Sequence, residues 1–212
     1  MSELFPSFTE EHQRFIAAQP MFFVATAAQE GSVNLSPKGG PSVAVLGPNR
    51  LLWQNLTGSG NETAAHLLEV NRITMMWCAF EGPPLILRAY GTATAIHRDD
   101  PAWSECEERI PATVGARQYF EIDVERVQTS CGYQVPLMDY REDRTALTKW
   151  AEKRGEELLA LLGSGLKTGD LTNLCARWSR PSIACSSSQP RAATGVGLPT
   201  LFGKPFPGGS GA

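Results

Sequence analysis

Short runs of apolar residues separated by turn residues fill most of the first 130 positions, and this pattern is typical of β-strands. The runs are rich in β-branched and aromatic residues, and pairs such as Gly-Pro and Pro-Pro mark the turns between them. The first two runs are close enough to form a hairpin. The predicted strands are 21–27, 33–39, 41–47, 51–56, 72–80, 85–96 and 118–130.

Helical spacing of apolar residues appears in four other segments. Thr9 is a suitable N-cap for the first helix, and Pro101 lies in the first turn of the third. With the strands grouped first and a helix near the end, the order predicts an α+β fold whose mostly antiparallel strands can close as a small barrel. The predicted helices are 9–19, 61–70, 99–110 and 141–162.

Ser, Gly and Pro dominate the chain after Gly163, and no periodicity survives there. Such segments lack the apolar residues that offset the entropy of ordering. We therefore expect one domain over residues 1–162 and a weakly ordered extension over 163–212, with an arm that packs on a partner as the alternative.

The residue patterns of two predicted strands indicate what packs against them. Segment 72–80 is apolar on both faces, which predicts a wall covered on the inside and on the outside, by a helix or a second subunit. Segment 85–96 has Arg88, Tyr90, Thr92 and Thr94 on one face and mainly small residues, including Gly91, on the other. The small residues predict close approach of another backbone.

The stretch LTGSGNETAAHL, residues 56–67, leads into the second predicted helix. Ser59 and Glu62 have the spacing of a capping box, in which each side chain bonds the other residue's backbone N–H. A helix start behind glycines also suits a phosphate, because free N–H groups and the helix dipole attract anions. However, the stretch holds no Lys or Arg, and Glu62 is itself an anion. Both interpretations stay open on these residues alone.

Polar side chains on the neighbouring strands are relevant to whether this stretch is only a capped helix start or also a phosphate site. In VNLSPKG, strand alternation puts Asn34, Ser36 and Lys38 on one face. Asn55 and Thr57 are polar positions at the end of a later strand. Together these residues could line one polar pocket that contains a cation, and a solvated sheet edge is the alternative.

Composition narrows the classes of function. The net charge of −3 gives no basic excess that would indicate binding to nucleic acid or to an anionic membrane. No apolar stretch is long enough to span a bilayer, and the acidic N-terminal residues do not resemble a secretory signal. We therefore expect a cytoplasmic protein.

Cysteine and histidine usage gives no framework of disulfides or metal ligands. The five cysteines form no C-x-x-C pair, so reduced thiols are expected. The three histidines are scattered without ligand spacing, and no metal site is expected.

The blocks FFVATA, VNLSPKG, VLGPNRLLWQNLTGSGNETAAHL and RITMMWCAFEGPPLILRAYGTA follow one another in this order. Over about residues 15–160 the chain resembles the pyridoxamine 5′-phosphate oxidase-like family, the FMN-binding split barrels. The resemblance implies a six-stranded antiparallel split β-barrel with flanking helices. It further implies a homodimer with FMN at its interface and a small-molecule substrate.

The resemblance also implies which residues contact the cofactor. The strand that carries Lys38 would run beside the isoalloxazine ring, and Lys38 would stabilise the charge that reduction builds there. The segment 55–63 would approach the ribityl phosphate, and Arg88 lies on a strand that the family uses around the cofactor. The complete set is Asn34, Ser36, Lys38, Asn55, Thr57, Ser59, Asn61, Thr63 and Arg88.

Two departures from the family pattern shape the functional prediction. The oxidases carry Ser-Arg-Lys where this chain has Ser59-Gly60-Asn61, so Lys38, Arg72 or Arg88 would have to supply the charge for the phosphate. The chain also lacks the Arg-x-His element that the oxidases use for their pyridoxal substrate. We therefore predict an FMN-dependent oxidoreductase with another substrate. The alternatives are a flavin-binding protein without turnover and a barrel that binds F420 or haem.

Overall fold

The computed structural model describes residues 2–58 and 60–164, with side chains to residue 155. This part of the chain contains eight strands and four helices, as an α+β fold requires. The strands are β1 (Glu3–Phe5), β2 (Met21–Thr26), β3 (Asn34–Gly39), β4 (Val43–Gly47), β5 (Arg50–Leu56), β6 (Ile73–Cys78), β7 (Ile86–Ile96) and β8 (Ala116–Ser130). The helices are α1 (Glu10–Ala18), α2 (Glu62–Glu69), α3 (Trp103–Arg109) and α4 (Ala146–Ser164).

All strands belong to one antiparallel sheet with the order β3-β2-β6-β7-β8-β5-β4, and β1 pairs with β8 beside this path. The six strands implied by the family resemblance are therefore too few. The apolar pattern itself predicts seven segments, and these correspond to the seven strands of the main path. β1 was not predicted, because three residues carry no periodicity and their pairing with β8 is distant in sequence.

The sheet curls so that strands distant in its order meet. Phe22 of β2 lies edge-on to Trp53 of β5, with ring centroids 6.3 Å apart, although three strands separate β2 from β5 in the sheet. Phe22 also stacks on Trp77, and Trp53 stacks on Phe120. These four buried rings fill the inside of the half-barrel.

Gly91 allows β7 to approach β8 closely, as the pattern of small residues predicts. A Cβ at this position would overlap the carbonyl group of Asp123. The register between the two strands also shifts between Tyr90 and Gly91, which marks a β-bulge.

The two faces of β6 are not equally buried. Ile73, Met75 and Trp77 are buried, and on the other face Cys78 is buried while Thr74 and Met76 are half-buried. Cover of this outer face by a helix or a second subunit stays a prediction. The inner face packs in the core, and the described residues do not fully cover the outer one.

The start of the first helix is as predicted, whereas the predicted cap of the second helix is wrong. Thr9 caps α1, accepting from the His12 N–H at 3.2 Å while His12 Nδ1 accepts from the Thr9 N–H at 3.2 Å. The predicted capping box at Ser59 is two residues early, since α2 starts at Glu62 with Asn61 as its N-cap. Ser59 itself lies outside the described residues.

The later helices are also shorter or less regular than predicted. α3 starts at Trp103, and Asp100 accepts a bond from the Ala102 N–H in the preceding turn. α4 starts at Ala146 and is interrupted at Gly155, whose φ is +74°. The predicted extension over 163–212 lies outside the described residues from position 165 onwards and stays a prediction.

Candidate functional site

The row of polar residues on β3 faces the protein as the alternation predicts. Asn34, Ser36 and Lys38 are half-buried, and the residues between them are exposed. Asn34 Nδ2 donates to Thr26 Oγ1 at 3.2 Å and to Thr63 Oγ1 at 3.1 Å. Ser36 Oγ donates to Asn34 Oδ1 at 2.9 Å. This network connects β3 to β2 and to the first turn of α2.

A second polar cluster surrounds the residue that precedes α2. Asn61 Oδ1 accepts from Gln118 Nε2 at 3.1 Å and from Asn55 Nδ2 at 3.4 Å, and all three residues are buried. Because Asn61 is used in this way, its side chain makes no capping bond to α2. Gln118 Oε1 is buried without a hydrogen-bond partner. Nearby Thr57 is buried and is held through its backbone N–H, which donates to Gly115 O at 2.7 Å.

Arg117 is the most important site residue that the sequence analysis missed. Its side chain is 7% exposed, and it donates to Gly60 O from Nη1 at 2.9 Å and to Gly58 O from Nη2 at 3.4 Å. Its Nε is buried and unpaired. Burial lowers the pKa of Arg117, and the Glu62 carboxylate opposes this shift. The arginine therefore holds Gly58 and Gly60 through their carbonyl oxygens and retains one unused donor, Nε.

Lys38 and Arg117, which we call the basic pair, both interact electrostatically with Glu62 at the start of α2. Lys38 Nζ lies 5.4 Å from the centroid of the Trp53 ring. Burial lowers the pKa of Lys38, Glu62 raises it, and Arg117 lowers it further. Two cations and one carboxylate thus influence one another at the start of α2. Neither cation forms an ion pair with Glu62 within 4.0 Å among the described residues.

Arg88 is not brought to this place. It lies on the outer face of β7 between Met76 and Gln128, and Nη1 donates to Ser130 Oγ at 3.0 Å. Arg72 is exposed and borders a different cleft. The structure therefore brings the predicted residues of β3, β5 and α2 together with Arg117, whereas Arg72 and Arg88, two of the three cations expected to supply the phosphate charge, lie elsewhere.

Two clefts lie in the surface of the described region. One, of about 330 Å³, is bordered by β2, β6, β7 and β8 and contains Arg72, Tyr90 and Arg126. The other, of about 560 Å³, opens beside the end of β3. Its wall includes apolar, aromatic and acidic side chains, with Gly40, Pro41, Phe80, Glu81, Met138, Tyr140 and Asp143 among them.

Two negative findings concern the described residues alone. No group of three or more His, Cys, Asp or Glu side chains is arranged there to hold a metal ion. No helix in that part is long and apolar enough to cross a membrane. Cys78 and Cys106 are buried free thiols, and Cys131 is an exposed one.

Two comparisons of the sequence with known proteins point to the same family. A family model described as pyridoxamine 5′-phosphate oxidase matches residues 8–131. The chain is 38% identical over 148 residues to ustO, a pyridoxamine 5′-phosphate oxidase family protein of Aspergillus flavus. That alignment takes in 68% of this chain and 59% of the relative, so the chain matches about three fifths of the relative's length.

Similar solved structures share little sequence with the chain. Tagged HupZ of Group A Streptococcus is 21% identical with a TM-score of 0.46, covering 57% of this chain and 91% of HupZ. An FMN-binding protein from Syntrophomonas wolfei is 13% identical with a TM-score of 0.43, covering 54% and 80%. The family assignment depends on the sequence matches. The family model covers more than half of the residues of this chain, and the chain therefore belongs to the pyridoxamine 5′-phosphate oxidase family.

Proposed function

We propose that this protein binds FMN and is a flavin-dependent oxidoreductase acting on a small molecule. The observation that carries the proposal is the basic pair beside the start of α2. A buried and a half-buried cation, Arg117 and Lys38, are costly to fold unless something uses their charge. A phosphate monoester at this place would use it.

The residues at the start of α2 fit a phosphate group in three respects. Lys38 can donate from Nζ, and Arg117 has an unpaired Nε. The first-turn N–H groups of α2 receive no bond from the Asn61 side chain, which leaves them open to an anion. The Ser-Arg-Lys run of the oxidases is absent here, and Arg117 offers a replacement from β8.

The polar networks beside the basic pair fit the remainder of a flavin nucleotide. Gln118 Oε1 is an unused acceptor that suits a ribityl hydroxyl. The linked side chains of Asn34, Ser36 and Thr63 give β3 a fixed polar edge along which a ligand can be oriented. When bound, FMN supplies the capacity to accept and donate a hydride. The protein supplies position and charge.

The substrate is proposed only as a small molecule that is not pyridoxamine 5′-phosphate. The sequence has no Arg-x-His, the element that the oxidases use for that substrate. The cleft of about 560 Å³ beside the end of β3 is large enough for a small organic compound and is our candidate for the substrate site.

A homodimer remains part of the proposal. Leu35 lies on the outer face of the edge strand β3 and is 64% exposed, and Val33 just before the strand is 70% exposed. Exposed apolar side chains on an edge strand favour coverage by a second copy. Light scattering at several concentrations tests this. A monomer at all concentrations would contradict it.

The cofactor is tested by absorption spectra of the purified protein after separate additions of FMN, F420 and haem. We expect a flavin spectrum only with FMN, and its loss in Arg117→Met. Arg109→Met, an exposed arginine of α3, is the matched control. Binding of F420 or haem in preference to FMN would contradict the proposal.

A reductase assay with NADH or NADPH and common acceptors then separates an enzyme from a flavin-binding protein. We expect reduced nicotinamide to be consumed by the FMN-loaded protein. Bound FMN that is never reduced would favour the non-catalytic alternative.

A further inference from the structure

Glu62 stands where the ligand phosphate is proposed to bind. It is the first residue of α2, its side chain is exposed, and its carboxylate folds back over Gly60, so that a Cβ at Gly60 would overlap it. Arg117 donates to the carbonyl oxygen of this same glycine. Gly60 therefore has a carboxylate on one side and a guanidinium on the other.

The charges at this place add up to only one positive unit. Lys38 and Arg117 contribute two cations and Glu62 one anion. The carboxylate acts on both cations, since it raises the pKa of each against the effect of burial. It is not in direct ion-pair contact with either cation within the described residues, so a gap remains between the opposed charges.

We propose that Glu62 is a specificity residue that weakens the binding of a phosphate dianion and narrows the preference for FMN over uncharged riboflavin. This inference rests on the proposed function. In the free protein the carboxylate lies at the helix start and partly offsets the charge of the basic pair. An incoming phosphate must then bind beside a like charge or displace the side chain.

The size of the effect follows from elementary electrostatics. A carboxylate about 6 Å from a doubly charged phosphate in a mostly aqueous setting is repelled enough to weaken binding by about tenfold. Screening by salt reduces this, so about three- to tenfold is expected at moderate ionic strength. Riboflavin carries no phosphate, and its affinity is not expected to change.

The same carboxylate stabilises the free protein, because a negative charge at a helix start interacts favourably with the helix dipole. Glu62→Gln should therefore melt at a slightly lower temperature than wild type without ligand. With FMN the difference should shrink or reverse, since the phosphate takes over the role of the carboxylate. A difference in melting temperature that depends on FMN in this way would not arise from a residue with a purely structural role.

The test compares full-length wild type with Glu62→Gln and Glu62→Ala in titrations with FMN and riboflavin. Glu108→Gln removes an equal charge from an exposed position of α3 and is the control. The proposal predicts a three- to tenfold gain in FMN affinity for both Glu62 variants, unchanged riboflavin affinity and an unchanged control. An equal or weaker FMN affinity in the Glu62 variants would overturn it.

If the proposed function itself is wrong, neither wild type nor any variant binds either flavin, and this result is distinct from failure of the Glu62 proposal. In that case thermal melts in inorganic phosphate, with chloride at matched ionic strength, still test the inference. Greater stabilisation of the Glu62 variants than of wild type by phosphate would support a charge-controlled anion site. Equal stabilisation would overturn it.

Discussion

Replacing Lys38 by Met is expected to separate ligand binding from folding. The substitution keeps a long, flexible side chain on β3 and removes its charge. If the basic pair exists to hold a phosphate, binding should suffer and folding should not.

The expected loss of binding can be estimated from the contact that Lys38 would make. Hydrogen bonds to charged groups contribute about 1.5–3 kcal/mol. This corresponds to a weakening of FMN binding by about 10- to 150-fold. Riboflavin, which lacks the phosphate, should bind Lys38→Met and wild type with the same affinity.

The expected effect on folding is small and of either sign. Lys38 loses its interaction with the Trp53 ring, 5.4 Å away, which is worth about 0.5–1 kcal/mol. Removing a cation whose pKa is lowered by burial offsets that loss, because the folded protein no longer desolvates a charge. The free energy of unfolding should therefore change by less than about 1 kcal/mol.

The assay is a fluorescence titration with FMN and riboflavin, followed by urea unfolding of the ligand-free protein. Lys149→Met, an exposed lysine of α4, is the matched control. Unchanged FMN affinity in Lys38→Met would refute the reasoning. So would an equal loss for riboflavin, since the phosphate would then not be the group that Lys38 holds.

Three further predictions concern pH and packing. FMN affinity should fall as the pH rises toward 10.5, the ordinary lysine pKa, because the pKa of Lys38 is lowered and the phosphate binds its protonated form. Titrations across this range should show the fall at a higher pH in Lys38→Arg, and an FMN affinity that does not change with pH would contradict the prediction. Gly91→Ala should lower stability by about 1–3 kcal/mol in urea unfolding, since the new methyl meets the Asp123 carbonyl, whereas a gain in stability would show that β7 and β8 are not in close contact. Tyr119→Phe should cost about 1–3 kcal/mol in the same assay because the Ile110 carbonyl, 2.6 Å from the phenol oxygen, loses a buried donor, and a cost under about 0.5 kcal/mol would be inconsistent with that bond.

Sequence patterns predicted seven of the eight strands in the described residues because each of the seven has its own local signature. Alternation on β3 correctly placed Asn34, Ser36 and Lys38 on one face, and small residues on β7 correctly indicated a close neighbour at Gly91. The pattern predicted seven strands and the family resemblance implied six, and neither included β1. β1 has no local signature, since its partner strand is more than one hundred residues away.

Features that depend on contacts between distant segments were harder to predict. Arg117 precedes the predicted strand by one residue, and nothing nearby shows that it reaches back to Gly58 and Gly60. The capping box of α2 was placed two residues too early for a related reason. Asn61 is held by Asn55 and Gln118, and these contacts exist only in the folded sheet.

A crystal structure of the FMN complex tests the central claim most directly. The account predicts phosphate oxygens within about 3 Å of Lys38 Nζ and of the first backbone N–H groups of α2, with the Arg117 guanidinium beside them. The Glu62 carboxylate should have moved away from Gly60. A flavin bound elsewhere on the barrel, with the basic pair and Glu62 arranged as in the free protein, would contradict the account.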